Sequence, residues 1–597
     1  MKKIVFVAFV CIVCVAGAVF YYLFEGEKTF VPPKGTVFLR ISKETTIVTE
    51  PLLPNGSAVD FSAVLDQFST AGADSEDNGF RSIIRLLGRT LYGDISDEKW
   101  QILCAKLNLN PDDPPLLPYV PLTDFLYDAL EKAEGKTPQF QADGKRRFDD
   151  AIQHQARQIA VSFSFRMQNE IFAEDLTLLE RWITEMEPAI SAVAEALKQP
   201  VYVVPPTGNY DFSEQFALPE AAVMPDFYNA MRIHNELTQM FSSHCLFRQI
   251  KSKTEPNMAG CWDDVLSLFR IARHFGRQAF PDATNFANAY ERNAGHRAME
   301  IMKTSKFEAD KFRQCLADLD SLPERTKYED RLEYIRFGWL KNISEFPQKG
   351  PIVFHYHIIE PIPDYLTLEE KQTLQYANAE TKKTIHIYRT VPFDWNIVAE
   401  IMNAEFDDRQ GKPTKQTIFQ SQSELRKIYE NTIVLEYSLE ELNSIIGGGS
   451  LSALLTDTDD HWNIVHLQRL SIEERSVHLG KAFSKYALKP EWLAFLVREG
   501  TTAFEMLRTT IALRLYKVEN GGYPKTLGGL IEYGYLPVVP NDPYRRGAPV
   551  PLSYRDEPEG SCILYSVGLN GIEDAGLYST AFSLRDTLWD DIIVELD

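Results

Sequence analysis

The chain is predicted to be mainly α-helical, with an N-terminal transmembrane helix, a large body of α-helical hairpins and a small α+β module at its C-terminus. Three observations predict this. An unbroken apolar run extends from Ile4 to Phe24, apolar residues recur at steps of three and four through much of residues 146–345, and after Thr501 one such helical pattern is followed by short strand-like runs. The corresponding segments are an anchor (1–29), a stalk and mixed region (30–145), the helical body (146–345), a mixed and mainly helical stretch (346–500) and the module (501–597).

At 1.5 Å per residue, about twenty apolar residues span a hydrocarbon core of about 30 Å, so the first run can cross a bilayer. Ala16-Gly17-Ala18 offers a signal-peptidase site, yet Val19 to Phe24 stays apolar where a cleaved signal turns polar. An uncleaved anchor is expected, with a cleaved signal as the competing reading. Lys2 and Lys3 before the run, with Glu25 and Glu27 after it, place the body on the extracytoplasmic, periplasm-like side. No comparable run follows, so a single pass is expected.

Composition narrows the function classes. With 597 residues, 44% of them hydrophobic, the chain can bury large cores in several domains. Its net charge of −22 repels phosphates and argues against a nucleic-acid partner. Cys11 and Cys14 lie in the apolar run, leaving Cys104, Cys245, Cys261, Cys315 and Cys562 without CxxC spacing, which indicates neither a disulfide framework nor a zinc site. One bridge, Cys245 to Cys261, fits an oxidising compartment; buried thiols are the plainer reading.

Phe30 to Gly35 reads as a stalk, Thr36 to Ile41 and Thr45 to Thr49 as β segments, Asn55-Gly56 as a turn, and Val59 to Phe68 as the start of a helix. The words ISKETTIVTEPLLPNGSAVDFSAVLDQ and EDNGFRSIIRLLG resemble the start of a set of large, uncharacterised, membrane-anchored bacterial proteins. That resemblance implies architecture and no chemistry. Leu176, Leu179, Trp182, Ile183, Met186, Ile190, Val193 and Leu197 mark an amphipathic helix ended by Pro200, and Val201 to Pro206 is extended. Helices follow over Leu237 to Ile250, Trp262 to Phe275, Asn285 to Met302, Phe312 to Leu322 and Tyr328 to Ser344, as packed hairpins rather than a repeat solenoid.

Ile352 to Ile359 reads as a strand carrying His355 and His357 on one side, a metal-ligand spacing that would need a further ligand such as Glu360 or His386. Ordinary hydrogen bonding is the plainer reading of the pair. Asp394 caps a helix bearing Ile397, Val398, Ile401, Met402 and Phe406. Gly447-Gly448-Gly449-Ser450 lacks the lysine of a phosphate loop and reads as a turn, as do the acids Asp457, Asp459 and Asp460. Glu473 to Tyr486 and Glu491 to Arg498 supply two last helices.

In the module, Phe504, Leu507, Ile511, Leu515 and Val518 share one helical face, and the helix ends at Gly521-Gly522 with Pro524 beyond. Leu527, Leu530, Ile531 and Leu536 suggest a short second helix, and Leu552 to Arg555 and Ser561 to Ser566 two strands. This order of a long helix, GGYP, a leucine pair, NDPY, an aromatic strand, YSVGLNG and a closing DDI resembles the C-terminal domain of the major pseudopilins of type II secretion. The resemblance implies a calcium ion in an acidic loop, held here by Asn570, Asp574 and Asp591, where Asn570 stands in the place of a customary aspartate. Solvated loop acids are the alternative. Calcium is the only cofactor implied. The stretch 501–597 is expected to close on itself, as a helical stripe covered by strands.

No GxSxG, HExxH, Walker A or GxGxxG occurs. The helices show core periodicity without a surplus of polar residues at core positions, which favours a non-enzymatic envelope scaffold or docking protein with an envelope partner. The alternatives are a membrane-tethered hydrolase of surface polymer, whose paired carboxylates no local spacing reveals, and a component of a secretion system.

Overall fold

The computed structural model describes residues 33–597 except 94, 137–138, 141–145, 148, 166–172, 208–226, 252–257, 279–282, 327–331, 350–390, 410–469, 488–489, 545–549, 558–559, 568–591 and 597. Helix dominates. In chain order the first elements are α1 (Phe61–Thr70), α2 (Gly79–Leu87), α3 (Asp97–Lys106), α4 (Leu122–Ala133), a two-residue ladder of β1 (Gln139–Phe140) with β2 (Arg146–Arg147), α5 (Asp150–Phe165) and α6 (Ala173–Ala196). Then come α7 (Phe227–Lys251), α8 (Met258–Gly276), α9 (Ala283–Thr304), α10 (Ala309–Asp320), α11 (Leu332–Lys349), α12 (Trp395–Arg409), α13 (Ile472–Ala487), α14 (Pro490–Asn520), α15 (Gly528–Glu532) and the strands β3 (Ser553–Asp556), β4 (Cys562–Ser566) and β5 (Ile592–Leu596). The apolar run Ile4 to Phe24 lies outside the described residues. Among those described, no helix is long and apolar enough to cross a membrane.

Two compact units share the chain, one from 1–64, 211–223 and 335–488 and the other from 65–210, 224–334 and 489–597. In the smaller unit α12 packs on α13, whose Gly480 leaves no room for a Cβ: one would stand 2.8 Å from the Ile401 Cβ and 2.9 Å from the Val398 carbonyl. Ser471 and Glu474 form a reciprocal capping box at the start of α13, with Ser471 N–H donating to Glu474 (2.8 Å) and Glu474 N–H to Ser471 Oγ (3.2 Å). Asp394 caps α12 as the spacing predicts, accepting from Asn396 N–H at 2.9 Å. Thr36 to Ile41 does not form a strand. Val37 makes a single parallel bridge with Asp394, and Asn396 on α12 donates to the Phe38 carbonyl at 3.1 Å and accepts from Arg40 N–H at 2.7 Å, clasping the segment along the helix. Among the described residues no strand completes a ladder here, and the Asn396 side chain satisfies part of this backbone instead.

The larger unit is organised around a hairpin array. Helix α8 packs against both α7 and α9, and α9 also carries α14, which reaches α10 and β4. The amphipathic stripe read from Leu176 to Leu197 runs along α6 to the residue just after it, with Leu176 half-buried and Leu179, Trp182, Ile183, Met186, Ile190, Val193 and Leu197 buried. Asn78 is the hub of the N-terminal part of the unit. Its side-chain oxygen accepts from Phe80 N–H (3.1 Å), capping α2, and from Val203 N–H (3.0 Å), while its amide donates to the Ala73 (2.8 Å) and Val203 (3.1 Å) carbonyls. The extended stretch after Pro200 is thereby tied to α2, and the word EDNG acquires a structural meaning.

The C-terminal stretch forms one helix and a three-stranded antiparallel sheet in the order β3-β4-β5. Helix α14 ends as predicted, at Gly521 with φ +79° and its N–H bonded to the Lys517 carbonyl at 2.8 Å. Two expectations change. Glu491 to Arg498 is no separate helix but belongs to the first turns of α14, because no proline or glycine pair interrupts it. Nor does 501–597 close on itself: Met506, Leu507, Ile511, Leu515, Leu530, Leu564 and Val594 belong to the same buried core as α6 to α10. One face of α14 covers the sheet, and another is taken by the body.

Candidate functional site

The words that carried the pseudopilin resemblance meet in space. Asp542 of NDPY is buried and accepts from Ser566 Oγ (2.8 Å) and Val567 N–H (2.9 Å) of YSVG, as well as Tyr544 N–H (3.0 Å). Tyr554 on β3 donates to the Pro524 carbonyl of GGYP at 2.6 Å. These residues hold turns to strands. Asn570, Asp574 and Asp591 lie outside the described residues, as do His355, His357, Glu360 and His386. Among the described residues no group of three or more His, Cys, Asp or Glu side chains is placed to hold a metal.

The core of the helical body holds buried charged and polar side chains. On α7, His244 stands between two carboxylates, with Nδ1 2.9 Å from Asp264 of α8 and Nε2 3.1 Å from Glu187 of α6. Arg248, one turn on, lies 3.3 Å from Asp264 and 3.6 Å from Glu187. Burial alone would lower the His244 pKa; the bonds from Asp264 and Glu187 outweigh it and lift it to about 9. Both ring nitrogens are engaged, so this imidazolium ties three helices together and has no nitrogen left for a substrate.

A second cluster joins the body to α14. Glu291 on α9 is 3% exposed and takes Arg273 of α8 at 2.6 Å and Arg325 at 2.9 Å. Arg325 also donates to Thr501 Oγ1 (3.0 Å) and the Gly500 carbonyl (3.1 Å). Phe504 lies between the two guanidiniums, 5.0 and 4.9 Å from its ring centre. Small residues permit the close approach: a Cβ on Gly500 would stand 2.6 Å from Asn288 Oδ1, and one on Gly295 3.2 Å from the Ala503 Cβ.

A third group is neutral. Tyr202 stacks on His274 with ring centres 4.6 Å apart, and His234 lies 5.7 Å from Tyr202. Each histidine donates to a carbonyl, His234 Nδ1 to Ala230 (2.7 Å) and His274 Nε2 to Leu197 (2.8 Å), and burial pushes their pKa values down to about 3 and about 4. These groups predict the pH dependence of folding. The lowered pair contributes stability that is present above the unfolded value of about 6.5 and is lost as pH falls toward 4 and 3, on the order of 3 to 5 kcal/mol for each histidine. His244 contributes stability present below about 6.5 and lost as pH rises through 9. Urea unfolding is expected to show a maximum near pH 6.5, with a steep loss down to pH 5 before most carboxylates titrate. His244→Gln flattens only the alkaline limb. A flat profile from pH 6.5 to 5 contradicts the assignment.

One carboxyl differs from the rest. Glu236 on α7 has an Oε2 buried with no hydrogen-bond partner among the described residues. Burial, reinforced by the charge of Asp124 and opposed by Arg232, pushes its pKa up to about 7. Tyr119 beside it is held protonated by burial and by the same two acids. Such a carboxyl can hold or release a proton near neutrality.

None of these groups was singled out in the sequence. Asp264 and Glu291 do carry a signal there: each falls in step with its helix's buried face, Asp264 after Cys261 and before Leu268, and Glu291 before Ala294 and Ala298. Comparison with protein-family models, with curated proteins and with solved structures finds no match to the chain.

Proposed function

We propose that the protein is a single-pass envelope protein, held in the membrane by Ile4 to Phe24, whose extracytoplasmic helical body presents a pseudopilin-like module as a docking element in a non-enzymatic scaffold. The observation that carries this reading is an apolar surface on the module. Val518 at the end of α14, Ile531 on α15, and Tyr533 and Val538 just after it are exposed, the last two by 57% and 63%. Tyr516, Tyr533 and Tyr535 cluster there with ring centres 5.2 to 6.3 Å apart. An exposed aromatic and aliphatic cluster of this kind suits a protein partner in the envelope. The charge clusters of the body are compatible with the reading, since His244 and Glu291 direct their bonding capacity at neighbouring helices.

A photo-crosslinking residue at position 533 of the full chain in membranes is expected to capture one defined envelope protein. Tyr533→Ser with Val538→Ser should abolish that product while moving the thermal midpoint by about 1 °C or less, because both sites are exposed. Crosslinking that yields no partner overturns the docking reading. Asn570, Asp574 and Asp591 are proposed as the calcium ligands, and a thermal midpoint that calcium leaves unmoved removes that part.

The hydrolase reading rests on one observation, the buried and unpartnered Oε2 of Glu236 near Asp124, whose charge joins burial in pushing the Glu236 pKa up. Hydrolysis of an envelope polysaccharide by the full chain, lost in Glu236→Gln with the fold intact, would replace the scaffold reading. A role in a secretion system rests on the module's resemblance alone.

A further inference from the structure

Cys245 of α7 and Cys261 of α8 face one another across the helix pair. Both are fully buried, and their contacts are reciprocal: the Cys245 sulfur lies 3.8 Å from the Cys261 carbonyl oxygen, and the Cys261 sulfur 3.7 Å from that of Cys245. The helices thus hold the two residues side by side, as a disulfide between them requires. Cys104, Cys315 and Cys562 stand on other elements, α3, α10 and β4.

We infer that Cys245 and Cys261 form a disulfide between α7 and α8 when the chain folds in the presence of a low-molecular-weight disulfide such as oxidised glutathione. The thiolate of one cysteine attacks the oxidant, whose S–S bond breaks to release one thiol and leave a mixed disulfide on the protein. The second cysteine's thiolate then attacks the protein-side sulfur, forming the Cys245–Cys261 bond and releasing the second thiol. Two electrons and two protons pass from the protein dithiol to the oxidant. In the closed core no reagent reaches either sulfur, so the bond forms before α7 and α8 have packed, or during their transient opening, and is shielded afterwards. His244 and Asp264 neighbour these cysteines, so the bridge would staple the helix pair where its charged clamp already acts.

The test maps thiols in the full chain, both after refolding in a reduced and oxidised glutathione buffer and directly after expression in an oxidising and in a reducing compartment. Alkylation under denaturing conditions precedes tryptic digestion. The expected product of oxidising conditions joins the peptide ending at Arg248 to the one ending at Arg270, with Cys104, Cys315 and Cys562 alkylated. The thermal midpoint should rise by several degrees over the reduced chain, and Cys261→Ser should remove that rise. Alkylated Cys245 and Cys261 in folded chain from both oxidising preparations, or a mixture of pairings, overturns the inference.

Discussion

Glu291→Leu is expected to destabilise the larger unit by about 3 to 5 kcal/mol, because it leaves Arg273 and Arg325 facing each other without their shared carboxylate. Arg273 is buried and Arg325 mostly so, at 8% and 24% side-chain exposure, so water can replace little of what is lost. Helix α14 should respond first, since Arg325 is also its link through Thr501 and Gly500. Urea unfolding checks this. Replacing all three together, Arg273→Met, Glu291→Leu and Arg325→Met, should recover most of the loss, because removing every charge also removes the cost of burying them. A triple variant as unstable as Glu291→Leu would mean that the cluster shapes the fold beyond its charges.

Asn78→Ala and Gly79→Ala should each cost about 3 kcal/mol, through opposite defects. The first removes four hydrogen bonds and strands the main-chain N–H and C=O of Val203 in a region with little water to replace them. The second adds a Cβ well inside contact distance of the Ala196 carbonyl, at the last residue of α6, where the clashing atom is backbone and cannot rotate away. Thermal unfolding of each variant measures the cost. Gly79→Ala matching wild type would show that α6 ends elsewhere, and Asn78→Ala matching it would show that Val203 finds other partners.

Helices with a strong apolar rhythm were legible from the residues. The stripe from Leu179 to Leu197 appears on α6, and the stop at Gly521 falls where a left-handed residue was expected, because periodicity and chain-ending glycines are local properties. Thr36 to Ile41 was not legible: β propensity needs a neighbouring strand, and the segment found Asn396 and Asp394 instead. The third strand, β5, escaped notice for a related reason. Five residues between acids, Ile592–Leu596, become a strand only because β4 offers an open edge.

The candidate groups lay further from view. His244, Asp264 and Glu187 come from three helices, and Glu291 meets Arg273 and Arg325 across the hairpin array, so each cluster exists only when helices distant in sequence are packed. Their one trace in the sequence is an acid in step with apolar neighbours.

By itself the sequence determined the helices of strong apolar rhythm, where α14 stops, and that the C-terminal stretch pairs one helix with a small antiparallel sheet. Only the tertiary structure decided that this stretch shares its core with the body, and which buried charges and thiols meet. The physical reason is range. Turn sterics and helical periodicity act over a few residues, whereas a shared core, an ion cluster or a thiol pair depends on which helix faces come to pack together, and no local pattern specifies that.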